Sequence, residues 1–250
     1  TINEKKALNG LDLTLNNGDF VTVIGGNGAG KSTMLNMIAG VYPVDSGSII
    51  IDGEDVTRLP EHKRAKYLGR VFQDPMMGTA ADMWIEENMA LASRRGQRRG
   101  LKWAINKSER EDFKKMLSEL DLGLEDRLSA KVGLLSGGQR QALTLLMAVM
   151  KKPKLLLLDE HTAALDPKTA AKVLALSDKF IAEDKLTAMM ITHNMKDAIT
   201  YGNRLIMMNN GQIILDVSGE EKKKLTVEYL LEAFSKLSGA EFTNDRALLN

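Results

Sequence analysis

Apolar residues along this chain follow two rhythms. Short continuous runs occupy residues 20–24, 155–158, 187–192, 204–208 and 212–216, and runs of this kind suit strands covered on both faces. The turn-like Asn16, Asn17 and Gly18 lead into the first run. Asn210-Gly211 joins the last two, which predicts an antiparallel hairpin there. Residues 47–52 followed by Gly53 resemble one more short strand ending in a turn. Between residues 76 and 150 the strand runs stop and helical patterns take over, as at 109–120. Val227, Leu230, Leu231, Phe234 and Leu237 have the spacing of an amphipathic helix packed on an outer face. The charged stretch 220–224 reads as a solvated linker or a helix start. Together these elements predict an α/β fold: a mostly parallel sheet with helices on both sides and a helical lobe inserted into it.

Composition narrows the class without changing the picture. A chain of 250 residues exceeds one small core, so one large α/β domain with an attached lobe is expected, not a tandem of two enzymes. Hydrophobic residues make up 44% and charged residues 27%, enough to bury a core. Lys plus Arg number 34 against 33 Asp plus Glu, so overall charge gives no case for nucleic acid as the main partner. The absence of cysteine excludes disulfides and thiolate metal sites and fits a reducing compartment. No apolar run reaches the ~20 residues that cross a bilayer, and no signal-like segment opens the sequence.

The chemistry begins where the first strand ends. Gly25-Gly26-Asn27-Gly28-Ala29-Gly30-Lys31-Ser32 fits the phosphate-binding pattern of a glycine, four residues, then Gly-Lys-Ser, between a predicted strand and a predicted helix over 31–39. Glycines let successive backbone N–H groups and the helix N-terminus face phosphate oxygens. Lys31 is expected to bridge the β- and γ-phosphates of ATP, Ser32 to ligate Mg²⁺, and Thr33 to complete the loop. A second run, Leu155-Leu156-Leu157-Leu158-Asp159-Glu160, ends in two carboxylates at a strand's C-terminal edge. Asp159 is placed to hold hydrated Mg²⁺, and Glu160 to orient and polarise the attacking water.

Leu135-Ser136-Gly137-Gly138-Gln139 is a Ser-and-glycine helix start able to bind phosphate oxygens. It matches the signature of the ABC-type ATPases, and on this motif, in this order with the others, the chain resembles that family from about Ala7 to Gly219. The resemblance implies a P-loop NTPase (RecA-like) core with a mixed sheet, an antiparallel β subdomain and an inserted α-helical subdomain. The core would comprise 1–75 and 151–219, the helical part about 76–150, and a C-terminal helix about 220–240. It also implies that Ser136, Gly137, Gly138 and Gln139 close on ATP held by a second copy of the chain. Gln73, in Val71-Phe72-Gln73-Asp74-Pro75, matches the glutamine that contacts Mg²⁺ and water; Asp166, in Ala164-Leu165-Asp166, matches the loop that crosses the dimer interface. His193, in Ile191-Thr192-His193-Asn194, matches the histidine that touches the γ-phosphate.

The implied protein is a transport ATPase at the cytoplasmic face of the membrane, peripheral, bound to a separate permease and served by a solute-binding protein. A non-transport ABC ATPase acting on DNA or ribosomes usually has long coiled-coil insertions or two cassettes, and this chain has neither. Lys131-Val132-Gly133-Leu134 stands where exporters often have a Glu-containing loop, which favours an importer. Within importers the chain resembles the ATPases of amino-acid-type systems, which implies an aromatic or branched-chain amino acid as the cargo. The sequence departs from the pattern in three places. His161 replaces the Pro that often follows the glutamate, the post-signature segment reads Arg140-Gln141-Ala142-Leu143, and no Phe, Tyr or Trp precedes Phe20. The adenine-stacking aromatic is therefore expected upstream of Thr1, or the base is held otherwise. Finally, Arg94, Arg95, Arg98, Arg99 and Lys102, flanked by Trp84 and Trp103, form a basic segment that either faces permease or lipid headgroups or is a solvated loop.

Overall fold

A computed structural model describes residues 6–97 and 105–238. The elements run β1 Phe20–Gly25, α1 Lys31–Ala39, β2 Ile50–Ile51, β3 Glu54–Asp55, α2 Glu61–Arg64, β4 Leu68–Val71, α3 Ile85–Ser93 and α4 Lys107–Ser118. They continue α5 Gly137–Val149, β5 Leu155–Asp159, α6 Pro167–Asp184, β6 Ala188–Ile191, α7 Met195–Thr200, β7 Arg204–Asn209, β8 Gln212–Ser218, α8 Gly219–Lys222 and α9 Val227–Ser238. Six strands form one sheet in the order β4-β5-β6-β1-β7-β8, parallel except for β8. The β7–β8 hairpin turns on Asn210 and Gly211, both at positive φ (48° and 75°), the backbone that Asn-Gly supplies at least cost.

Alternation along the buried strands explains why they read as unbroken apolar runs. In β5, Leu156 and Leu158 enter one core with α5 and α6, while Leu157 enters another with Val21, Val23, Met34 and Leu35. Each such leucine contributes roughly 1.5–3 kcal/mol by leaving water, so a polar residue on either face of this strand would be costly. A third cluster joins Ile24, Leu205 and Met207 to Leu230, docking the amphipathic α9 beside the sheet.

Between β4 and β5 the described residues form helices and turns, with one isolated antiparallel bridge, Trp84 to Lys131. Helix α4 spans 107–118, two residues earlier than the 109–120 pattern, because Asn106 caps it by accepting from Glu109 N while the Glu109 carboxylate accepts from Asn106 N. The strand expected at 47–52 shrinks to Ile50–Ile51, paired antiparallel with β3 outside the main sheet. Lys222, in the stretch expected to be solvated, is buried and donates to the carbonyls of Tyr201 and, at 2.8 Å, Gly202. Burial lowers its ammonium to about 8. No helix among the described residues is long and apolar enough to cross a membrane.

Candidate nucleotide site

The parallel strands deliver their C-terminal ends to one edge. Register pairs Val71 with Leu158, Asp159 with Ile191 and Val23 with Ile191, so the loops that leave β1, β4, β5 and β6 start side by side. All of the residues expected on the chain's own side of the site stand on those loops or on α1.

The loop after β1 is shaped by its glycines. A Cβ on Gly25 would sit 2.2 Å from the Met208 carbonyl oxygen, so any side chain there would push the strands apart. Gly28 and Gly30 take φ of 78° and 99°, which carries Asn27 and Ala29 around the bend and into α1. No side chain caps α1, so its first amides are free to meet an anion. Lys31 is buried beneath the loop, its Nζ donating to Gly25 O at 2.7 Å and Gly26 O at 3.1 Å. Burial lowers its pKa, opposed by the Glu160 and Asp159 carboxylates nearby. Ser32 and Thr33 follow on the first turn, Ser32 exposed.

Asp159 ends β5 with the Arg70 guanidinium 3.7 Å away. Burial raises its pKa, and the charge of Glu160 adds to this, while Arg70 and Lys31 pull it back down. Glu160 adopts φ 47°, a left-handed conformation that is strained for a residue with a side chain. Its N–H is held by Ile191 O at 3.0 Å, and the twist sends its Oε1 to 2.6 Å from His193 Nε2. Gln73 is exposed on the loop after β4. The donor set of a Ser hydroxyl, one Asp carboxylate and a Gln amide is all hard oxygen, which fits Mg²⁺ completing its shell with phosphate and water.

The signature turn is built separately. Ser136 caps α5 by accepting from Gln139 N at 3.3 Å, and Gln139 Oε1 accepts from Ser136 N at 3.1 Å. Gly137 lies near Leu165, and a Cβ on Gly138 would meet Thr169 Cγ2 at 2.1 Å, so this helix start abuts α6. Asp166 is exposed and caps α6 by accepting from Thr169 N at 3.1 Å; the Thr169 hydroxyl first, and this backbone bond second, lower its pKa. A cleft of about 300 Å³ beside this turn is lined by Ser136, Gly138, Gln139, Lys168, Thr169 and Lys172. A larger cleft, about 580 Å³ at Glu86, Arg110 and Arg127, contains none of the expected site residues.

Of the five basic residues of that segment, Arg94 and Arg95 are among the described residues. Arg94 pairs with Glu109 at 2.8 Å, and Arg95 donates to Ala148 O at 2.9 Å, tying the end of α3 to α4 and α5. Arg98, Arg99, Lys102 and Trp103 lie outside the described residues. Two polar residues at the site's margin were missed. Arg70 lies on β4, too short a strand to read from its pattern. Gln141 is fully buried in α5 beside two other buried polar residues, Arg140 and Thr144, and no local pattern in the sequence singles it out.

Comparison with known proteins decides what kind of cassette this is. The sequence profile of the ABC transporter family matches residues 8–163. The chain belongs to the ABC transporter family. It is 46% identical over 224 residues to the tyrosine transport ATP-binding protein of Clostridioides difficile (strain R20291), covering 90% of this chain and 89% of that one. It is 38% identical to the thiamine import ATP-binding protein ThiQ of Histophilus somni (strain 129Pt), over 80% of this chain and 88% of that one. Against the spermidine/putrescine import ATP-binding protein PotA of Haemophilus influenzae (strain ATCC 51907 / DSM 11121 / KW20 / Rd) identity is 37%, over 86% of this cassette but 54% of that longer chain.

Solved cassettes share the fold. The ADP conformation of MJ1267, an ATP-binding cassette of an ABC transporter, superposes with TM-score 0.73 at 30% identity, over 88% of this chain and 87% of that one. A dimeric post-hydrolysis state of the cassette MJ0796 bound to ADP and Pi gives 0.72 at 29% identity, over 85% and 90%. This cassette is accordingly a nucleotide-binding ATPase of the transport-coupled kind, with the mixed-sheet P-loop fold.

Proposed function

We propose that this chain binds Mg²⁺-ATP and hydrolyses it to drive import of an aromatic amino acid through a separate membrane permease, on whose cytoplasmic side it sits. The observation that carries the hydrolytic part is the 2.6 Å contact between Glu160 and His193 at the sheet edge, beside buried Lys31. Glu160 accepts the proton of the attacking water, and the His193 contact orients its carboxylate. Lys31, the α1 amides and the glycine loop hold the β- and γ-phosphates, while Ser32, Asp159 and Gln73 would hold Mg²⁺. Bound there, the ion would neutralise phosphate charge. Head-to-tail pairing with a second copy brings the partner's signature Ser, paired Gly and Gln positions, equivalent to Ser136–Gln139, to the same phosphates, with Asp166 at the junction. The chain works as one cassette, core 1–75 and 151–219 with the helical part 76–150 between.

The substrate class rests on the relative named for tyrosine transport, which spans nearly the whole chain. Near balance of charge gives nucleic acid no role as partner. The test is to reconstitute the full chain with the permease of its transporter in vesicles. ATP hydrolysis stimulated by a tyrosine-loaded solute-binding protein, and not by a spermidine- or thiamine-loaded one, is expected. Failure of the chain to co-purify with any integral membrane protein would contradict the proposal.

A further inference from the structure

We infer that Gln141 is a positioning residue that couples the chain's own hydrolytic residues to the signature turn it offers its neighbour. The inference rests on the site reading above. Gln141 is fully buried in α5, and both hydrogens of its side-chain amide are used: Nε2 donates to Phe72 O at 2.8 Å and to His161 O at 2.6 Å. Phe72 immediately precedes Gln73, and His161 immediately follows Glu160. One amide therefore sets the distance between the two loops that carry the expected water-handling groups. These loops are 20 and 69 residues away from Gln141 along the chain, and the amide joins them beyond the point where the β4–β5 pairing ends at Val71 and Leu158.

The same residue lies on the second turn of the helix that Ser136 opens. That helix has little slack on either side. A Cβ on Gly78, in the loop after Gln73, would meet Thr144 Cγ2 at 2.4 Å, and one on Gly138 would meet Thr169 Cγ2 at 2.1 Å. Arg140, next to Gln141, reaches the Met76 sulfur in the same loop. Close-packed surfaces shift as units instead of compressing, so movement of Gln73 or Glu160 passes into α5 and thence to Ser136. The Gln141 Oε1 is buried without a hydrogen-bond partner. His161 is anchored from its other side, its ring Nε2 2.9 Å from Ser177 Oγ, so the carbonyl that Gln141 grips is itself fixed.

Gln141→Met removes both donors at nearly constant volume; Gln141→Glu keeps the shape but sets oxygens against the two carbonyls. The full-length chain is assayed for ATP hydrolysis across an ATP titration, with ATP binding and the thermal midpoint measured on the same preparations. For Gln141→Met, kcat is expected to fall at least about tenfold, the scale of a sub-ångström misplacement. KM and ATP affinity should stay within about threefold, and the Hill coefficient should drop toward one. Gln141→Glu should be at least as impaired. A folded Gln141→Met chain with kcat within about twofold of the parent and unchanged cooperativity would overturn the inference, as would a loss wholly accounted for by weaker ATP binding. Glu160→Gln serves as the control: if it retains full turnover, the site reading fails, whereas if it is inactive and Gln141→Met is not, only this inference fails.

Discussion

Charged groups at the sheet edge answer one another, whereas the polar groups of the signature turn cap the helix they open. Around β5, the charges of Lys31, Asp159 and Arg70 shift one another's pKa alongside burial, and Glu160 lies 2.6 Å from His193 beside them. At the signature turn, Ser136 and Gln139 close a capping box, and Asp166 caps α6 nearby, leaving exposed polar groups without chemistry of their own. The first region carries a carboxylate, a histidine and a buried lysine together at one sheet edge. The second is equipped to cap an anion but has no base. The contrast fits the proposal that one chain contributes to two sites; the cassette MJ0796, 29% identical, is dimeric in its ADP- and Pi-bound state.

The comparison breaks most severely at Glu160. Glu160→Gln keeps the size and the left-handed turn but removes the proton acceptor, so kcat should fall about 10²- to 10⁴-fold with ATP binding retained. Stopped turnover alongside normal nucleotide binding is the outcome to look for; equal loss of both would mean that Glu160 only builds the loop.

A smaller effect separates the two regions by stability. In the helical part, Glu86 is buried and held by Arg110 through two hydrogen bonds of 2.6 and 2.7 Å. Arg110→Ala leaves that carboxylate without its partner. The thermal midpoint should drop by about 5 °C while ATP affinity stays unchanged. If nucleotide binding weakened in parallel, the two regions would not be independent in the way described.

The smallest expected effect is a pH slope. Burial lowers the folded-state pKa of Lys222 from 10.5 to about 8, so the unfolded chain binds more protons between those values. Stability therefore rises with pH through that window, and below it the full cost of burying the ammonium is present. Lys222→Met should lie within about 1 kcal/mol of the parent near neutrality, a shift of about 2–4 °C, and should lose the rise above about pH 8. Thermal unfolding of both chains across that range checks it.

The strands of the sheet were legible wherever both faces are buried, as at β1 and β5, because β-branched and apolar residues fill them, Thr22 being the one polar side chain in β1. β4 was not, since Leu68, Gly69, Arg70 and Val71 put a glycine and an arginine into a strand of 4 residues. Glycine spacing exposed the phosphate loop because Gly25 has no room for a side chain. By contrast, the roles of Arg70 and Gln141 depend on partners far away in sequence, which no local pattern displays. The same holds for Arg94, whose acidic partner Glu109 stands on the next helix.

The central claim is that Ser136 serves a neighbour's nucleotide and not its own. Glu160→Gln, which holds ATP without consuming it, should dimerise on ATP addition as measured by light scattering. Adding Ser136→Arg to that chain should abolish dimerisation while each monomer still binds ATP. A double variant that still dimerises, or one whose monomer no longer binds ATP, would contradict the account.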